Sequence, residues 1–227
     1  MKKLRASEAV KIDPMSTHPA SVTPLFPLSQ GLFPDGVLSL TIFEVRYLHL
    51  IKRCQQEGIA FGVVPLRAGS EVQKAGEIEQ LHPWGCLAEL IAVSQVQPAV
   101  LSVTIRGGQR FHLGEHSRGA YGLWSGEITR LANDPIIELA PAHQPLADRL
   151  AALIQHAIDH QLEERLPFRP PYRLKDTGWI ANRWADLLPL PAEEKAALLA
   201  ESDCAKRLDR IAQWLPDDLE DAGGSAS

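Results

Sequence analysis

His156 and His160 stand four residues apart in a helical stretch, with Asp159 and Glu163 beside them. That spacing puts both imidazoles on one helix face, as a zinc ion requires of a first pair of ligands. The inner glutamate of a His-Glu-x-x-His motif is missing and no third ligand is identified, so the pattern reads as a solvated polar face. His112 and His116 flank Glu115 near a strand end, where positions four apart also share a face. Loop histidines of that kind are commoner than ligands. His82 and Cys86 are the nearest pair for nucleophilic chemistry, but Pro83 and Gly85 disrupt the strand that would align them. No Ser-x-x-Lys and no Gly-x-Ser-x-Gly elbow occurs. No lysine directly follows a glycine, which removes the Gly-x-x-x-x-Gly-Lys loop that cradles nucleotide phosphates. The expectation is a chain that is not an enzyme and carries no metal or cofactor.

What remains is chemistry of recognition. Glu44 and Arg46 follow an apolar strand. Either they line a peptide groove, or Glu44 caps the following helix and Arg46 pairs with a carboxylate to fix the strand-to-helix turn. The structural role is expected, because a charge at such a turn is tolerated mainly when paired. Arg110 is read the same way. Phe33 sits in a Leu32-Phe33-Pro34 turn, Trp84 lies between Pro83 and Gly85, and Phe168 and Tyr172 fall within RLPFRPPYR, Arg165 to Arg173. Aromatics in turns either fold onto the core or stay exposed for partners. Two of them exposed side by side would form an apolar patch, so Leu32, Phe33, Trp84, Phe168 and Tyr172 are the candidate peptide-binding residues.

The elements that must position these residues fit one compact unit or one domain with a smaller partner. The chain has 227 residues, 45% of them hydrophobic, enough for a sizeable core. A net charge of -5 argues against nucleic acid as the ligand. Three widely spaced cysteines are not a disulfide framework and fit a reducing compartment. Residues 1–22 lack the apolar run of a secretory signal, and no stretch is long and apolar enough to span a bilayer, so the cytoplasm is expected.

Residues 1–22 and 217–227 read as tails. Residues 23–134 read as mainly β. Leu38, Leu40 and Ile42 alternate with Ser39 and Thr41 as a half-buried strand. Tyr47, Leu50, Ile51 and Cys54 share a helix face that ends at Gly58. Strands are expected over Ile59–Leu66, Cys86–Gln95, Ala99–Ile105, Gln109–Leu113 and Trp124–Arg130, with a turn or bulge at Gly107-Gly108. Ala68–Pro83 reads as an exposed loop. Residues 135–216 turn helical. One helix carries Leu146, Leu150, Leu153, Ile154, Ala157 and Ile158 on a stripe; others start at Asp176, at Pro191 and at Asp203. RLPFRPPYR reads as a rigid linker.

The order of these parts resembles the N-terminal substrate-binding domain of Lon protease. Leu32-Phe33-Pro34 and Ile42-Phe43-Glu44-Val45-Arg46-Tyr47 fill its turn and its Ile-Phe-Glu-x-Arg-Tyr motif, with Val45 where the family often has proline. Phe61-Gly62-Val63-Val64, Gly85-Cys86-Leu87-Ala88 and Arg106-Gly107-Gly108-Gln109-Arg110-Phe111 resemble its later strands. Trp179-Ile-Ala-Asn-Arg and Asp186-Leu-Leu-Pro-Leu-Pro resemble its helical part. Glu44, Arg46, Tyr47, Gly107 and Arg110 are thereby structural motif residues. The resemblance implies an α+β fold, a β-rich PUA-like pseudo-barrel subdomain followed by an α-helical bundle subdomain. It also implies binding of unfolded or exposed apolar polypeptide segments, with service as an adaptor for a separate protease or chaperone. The phosphate loop of the Lon ATPase is missing, and the chain ends too soon after the matched region for a Lon peptidase domain. A small hydrolase with an unrecognised site and an RNA-binding PUA-like protein are the competing expectations.

Overall fold

The computed structural model describes residues 22–72 and 78–215. The expected tails lie outside these residues except for Val22, as does the middle of the expected Ala68–Pro83 loop.

The chain opens with β1 (Thr23–Leu28) and β2 (Val37–Ile42), followed by α1 (Val45–Glu57), β3 (Phe61–Ala68), the short β4 (Gln80–Leu81), β5 (Trp84–Gln97), β6 (Val100–Arg118) and β7 (Trp124–Arg130). β1 pairs with both β3 and β7, and β3–β5–β6–β7 pair in turn, so these strands close on themselves as a barrel. The β1–β3 pairing is parallel and the others are antiparallel. Closure removes the edges an open sheet would expose. Leu25, Val64, Leu87, Phe111 and Leu113 cluster together from the barrel strands. Gly62 leaves room for Phe111: a Cβ there would lie 2.7 Å from its ring.

β6 is a single strand where the sequence suggested two. It runs through Gly107-Gly108, and the register shifts there: Cys86 faces Arg110 while Ala88 faces Gly107. The glycine pair marks a bulge, not a turn. The β5–β6 hairpin turns at Pro98-Ala99, with Ala99 at φ 60, the proline-first turn with a left-handed second residue. Its outer half extends beyond the barrel, and β2 joins it along β6, Ile42 opposite Leu101 and Val37 opposite Arg106.

The helical part comprises α2 (Gln144–Asp159), α3 (Thr177–Leu187), α4 (Ala192–Ala200) and α5 (Cys204–Ala212). Asp176 and Asp203 cap α3 and α5, each carboxylate accepting two backbone N–H groups of the first turn. Gly58 ends α1 in the left-handed conformation. On α2, Ile158 is exposed, so the apolar stripe is narrower than the periodicity suggested. One core cluster contains Ile42, Val103 and Ile105 from the strands together with Leu150, Trp179, Trp184 and Leu208 from the helices. Barrel and helices therefore share apolar packing.

Three candidate recognition residues are corrected here. Leu32 (2% exposed), Phe33 (0%) and Phe168 (0%) are buried and present no surface. The Leu32-Phe33-Pro34 turn plugs the junction of barrel and helices. Gly36 N–H donates to the Phe33 carbonyl, Asp35 N–H donates to the Gly107 carbonyl, and Arg183 donates to the Pro34 carbonyl. RLPFRPPYR is pinned to the start of β2, where Val37 N–H donates to the Pro167 carbonyl at 2.7 Å. Phe168 stacks edge-on against Trp179 and Tyr172.

Candidate functional site

The strand-to-helix turn after β2 organises the most suitable surface. Ile42 is the last inward residue of β2, and by alternation Phe43 emerges on the outside, 51% exposed, with Val45 beside it. Glu44 occupies the N-cap position but makes no capping bond. Its carboxylate instead takes Arg46 at 3.1 Å. Arg46 is buried in the first turn of α1, and its guanidinium also reaches the Glu79 carboxylate at 3.4 Å and the carbonyls of Glu71 and Gly122. Glu79, itself buried, accepts the Trp124 indole N–H and pairs with Arg118 at 3.3 Å. This network ties Glu71 and Glu79 to the helix start. A charge buried so deeply needs that many partners. Arg46 is thus held by two carboxylates and two backbone carbonyls at the start of α1. Tyr47 lies flat on Phe26, ring centroids 3.9 Å apart. Burial pushes its hydroxyl well above the ordinary range, and that hydroxyl has no hydrogen-bond partner among the described residues.

Along this turn runs a groove built from two cavities that share Gln30 and Glu71. The first, about 260 Å³, is lined by Phe26, Leu28, Leu40, Ile42, Phe43, Tyr47 and Val72, with Ser39, Thr41 and Glu44. Inward and outward residues of β2 both line it, so it follows the strand's edge, not one face. β2 pairs with β6 on one side. Gly36 bonds toward β6 and Val37 bonds away from it, so by alternation the backbone groups of Ser39 and Thr41 point away from β6. The second cavity, about 530 Å³, is lined by Ser29, Gln30, Glu71, Asp186, Leu187, Leu188, Pro189, Leu190 and Lys195.

Asp186 sits under the Leu32-Phe33-Pro34 turn, 2.9 Å from Arg183. Burial pushes its carboxyl up to about 7, and the charges of Arg183 and Lys195 offset this only in part. A carboxyl raised in the folded state holds its proton more tightly folded than unfolded. The stability this confers is complete below the ordinary carboxylate range and is lost as pH rises through about 7. The wild type is therefore expected to lose on the order of 2 kcal/mol between pH 5 and pH 8 relative to Asp186→Asn. Urea denaturation of both proteins across that range measures it; parallel profiles would contradict the assignment.

The sequence candidates do not assemble into one site. Trp84 is half-buried, edge-on to His112 at 4.7 Å, and Tyr172 is half-buried against Phe168 and Trp179. His82 lies 3.7 Å from Glu193 while the Cys86 thiol contacts the Gly108 carbonyl, so each faces its own partner. Burial pushes that thiol far above the range of a nucleophile. His160 contacts the His156 carbonyl through Nδ1, and no group of three or more metal-ligating side chains exists among the described residues. Phe43, Val72 and Lys195 were missed. The β2 alternation alone points Phe43 outward; nothing local marks Val72 or Lys195.

A barrel with a helical annex and this signature turn can be compared with known proteins. The family model of the ATP-dependent protease La (LON) substrate-binding domain matches residues 22–217. The chain belongs to this family. A crystal structure of a Lon N-terminal domain protein from Xanthomonas campestris superposes on the LON domain with a TM-score of 0.66 at 28% identity, covering 86% of this chain and 99% of that one. The N-terminal domain of the Mycobacterium avium complex Lon protease superposes with a TM-score of 0.56 at 18% identity over 86% of this chain and 97% of that one, a likeness of fold. No curated protein matches. The α+β architecture implied by the motifs is thus the architecture present. No helix among the described residues is long and apolar enough to cross a membrane.

Proposed function

We propose that this LON domain binds polypeptide segments carrying exposed apolar side chains, that it does so in the groove along β2, and that it performs no catalysis of its own. The carrying observation is the coincidence of an apolar cavity, an outward strand edge and the exposed Phe43 and Val72 in a member of a substrate-binding family. Strand addition would satisfy the outward backbone groups of Ser39 and Thr41, and the cavity would take alternate side chains. A segment held this way could pass to a separate protease or chaperone, the adaptor role. The acidic groups along the groove, Glu44, Glu71 and Asp186, disfavour a phosphate backbone.

The test is binding of reduced, carboxymethylated α-lactalbumin, a permanently unfolded chain, measured by biolayer interferometry. Phe43→Asp and Val72→Asp place charge in the apolar cavity and are expected to weaken binding about tenfold each, while both proteins stay folded because the sites are exposed. Unaltered binding in both variants would remove the groove from consideration, and no binding by the wild type would remove the function.

A further inference from the structure

Glu71 stands where the two cavities of the groove meet. Its Oε1 accepts the Ser29 backbone N–H at 2.6 Å, and its Oε2 has no partner among the described residues. Glu44 is in the same state. Its Oε2 takes Arg46 at 3.1 Å, and its Oε1 has no partner among the described residues. The two acids are held near each other, because Arg46 Nη2 reaches both the Glu44 carboxylate and, at 3.4 Å, the Glu71 carbonyl. Among the described residues they are the only charged groups lining the first cavity. Tyr47 lines the same cavity and is 3% exposed, and its hydroxyl is a third acceptor without a donor. The cations nearby do not serve these atoms. Arg46 is committed to the partners already described, and Lys195, in the second cavity, forms no ion pair with Glu71 among the described residues.

The rest of the first cavity is the apolar wall of Leu28, Leu40, Phe43 and Val72. A lysine side chain matches both parts. Its four-carbon stem covers apolar surface while its head stays with polar groups. Its ammonium brings three donors and no acceptor, against two free carboxylate oxygens and one hydroxyl. A carboxylate side chain in the same place would meet two like charges. A neutral amide would donate to the same oxygens, but charge-assisted bonds are the stronger kind.

Resting on the polypeptide-binding function above, we propose that the groove selects apolar segments that carry a basic side chain, whose head Glu71 and Glu44 receive. The probes are three N-terminally fluorescein-labelled decapeptide amides that alternate Leu or Val with Ser or Thr and differ only in a central Lys, Gln or Glu. Affinity is read by fluorescence anisotropy at low salt. Wild type is expected to bind the Lys peptide about tenfold more tightly than the Glu peptide, with the Gln peptide between them. The spread is expected to narrow at high salt. It is expected to fall to about threefold or less in Glu71→Gln, whose amide oxygen can still accept the Ser29 N–H. Glu127→Gln makes the same charge change at an exposed position of β7 outside the groove, and is expected to leave the spread intact. Equal affinity for the three peptides, or tightest binding of the Glu peptide, overturns the inference while leaving the binding function intact. A spread unchanged in Glu71→Gln, or reduced as much in Glu127→Gln, overturns it as well. Binding of none of the peptides overturns the function and this inference together.

Discussion

Asp134→Ala is expected to remove about 3–5 kcal/mol of folding stability, the effect of stranding buried cations. Asp134 stands between the last barrel strand and the helices. It accepts from Arg110 at 2.6 Å, from Arg207 at 2.7 and 3.1 Å, and from Asn182 at 3.3 Å. Arg110 continues from β6 to the carbonyls of Leu199 and Glu201 at 2.7 and 2.8 Å, at the end of α4. Both guanidinium groups are buried, so their charge has no recourse to water. Burial by itself would push the Asp134 carboxyl up, but Arg207 and Arg110 outweigh it and hold the carboxyl below its ordinary range. A depressed carboxylate contributes stability that is present at neutral pH and lost as pH falls through its folded value. The penalty of the variant is therefore expected to be largest near pH 7 and to shrink under acid conditions. In a thermal melt the loss corresponds to roughly 10 °C. A shift of under about 1 kcal/mol would show that the barrel and helices do not depend on this carboxylate.

Gly107→Ala is expected to cost about 3 kcal/mol or more, at the upper end of overpacking effects. A Cβ on Gly107 would fall 2.0 Å from the Phe33 carbonyl oxygen. Neither partner can give way. Gly107 N–H donates to the Gly36 carbonyl at 2.8 Å, and its own carbonyl accepts from Asp35 N–H at 2.8 Å. The buried Phe33 ring then fixes the turn from below. Gly108→Ala is the internal control. Its nearest neighbour is the Leu87 carbonyl at 3.5 Å, an ordinary contact, so the change is expected to lie within about 1 kcal/mol of zero. Equal effects at the two glycines would refute the plug.

These two positions also show how far the sequence could be read. Helix starts at Asp176 and Asp203, the Gly58 stop and the β2 alternation all depend on neighbours within a few residues, and local chemistry determines them. Arg46 and Arg110 were legible as paired charges, but not their partners. Glu79 lies in a stretch without periodicity, and the Asp134 link depends on two elements meeting. The fate of the Leu32-Phe33-Pro34 turn was illegible for the same reason. An aromatic in a turn can face either way, and Gly107, Arg183 and Asp186 settle it from distant parts of the chain. The groove is the least legible feature, because Phe43 and Val72 meet in one cavity only when β2 and the start of α1 are in place.

The central claim is that polypeptide binds along the edge of β2. Hydrogen–deuterium exchange, with and without saturating carboxymethylated α-lactalbumin, tests it most directly. The predicted result is slower exchange at the backbone amides of Ser39 and Thr41 and at the start of α1, with the barrel face around Trp84 and His112 unchanged. Protection confined to that barrel face, with β2 unaffected, would contradict the account.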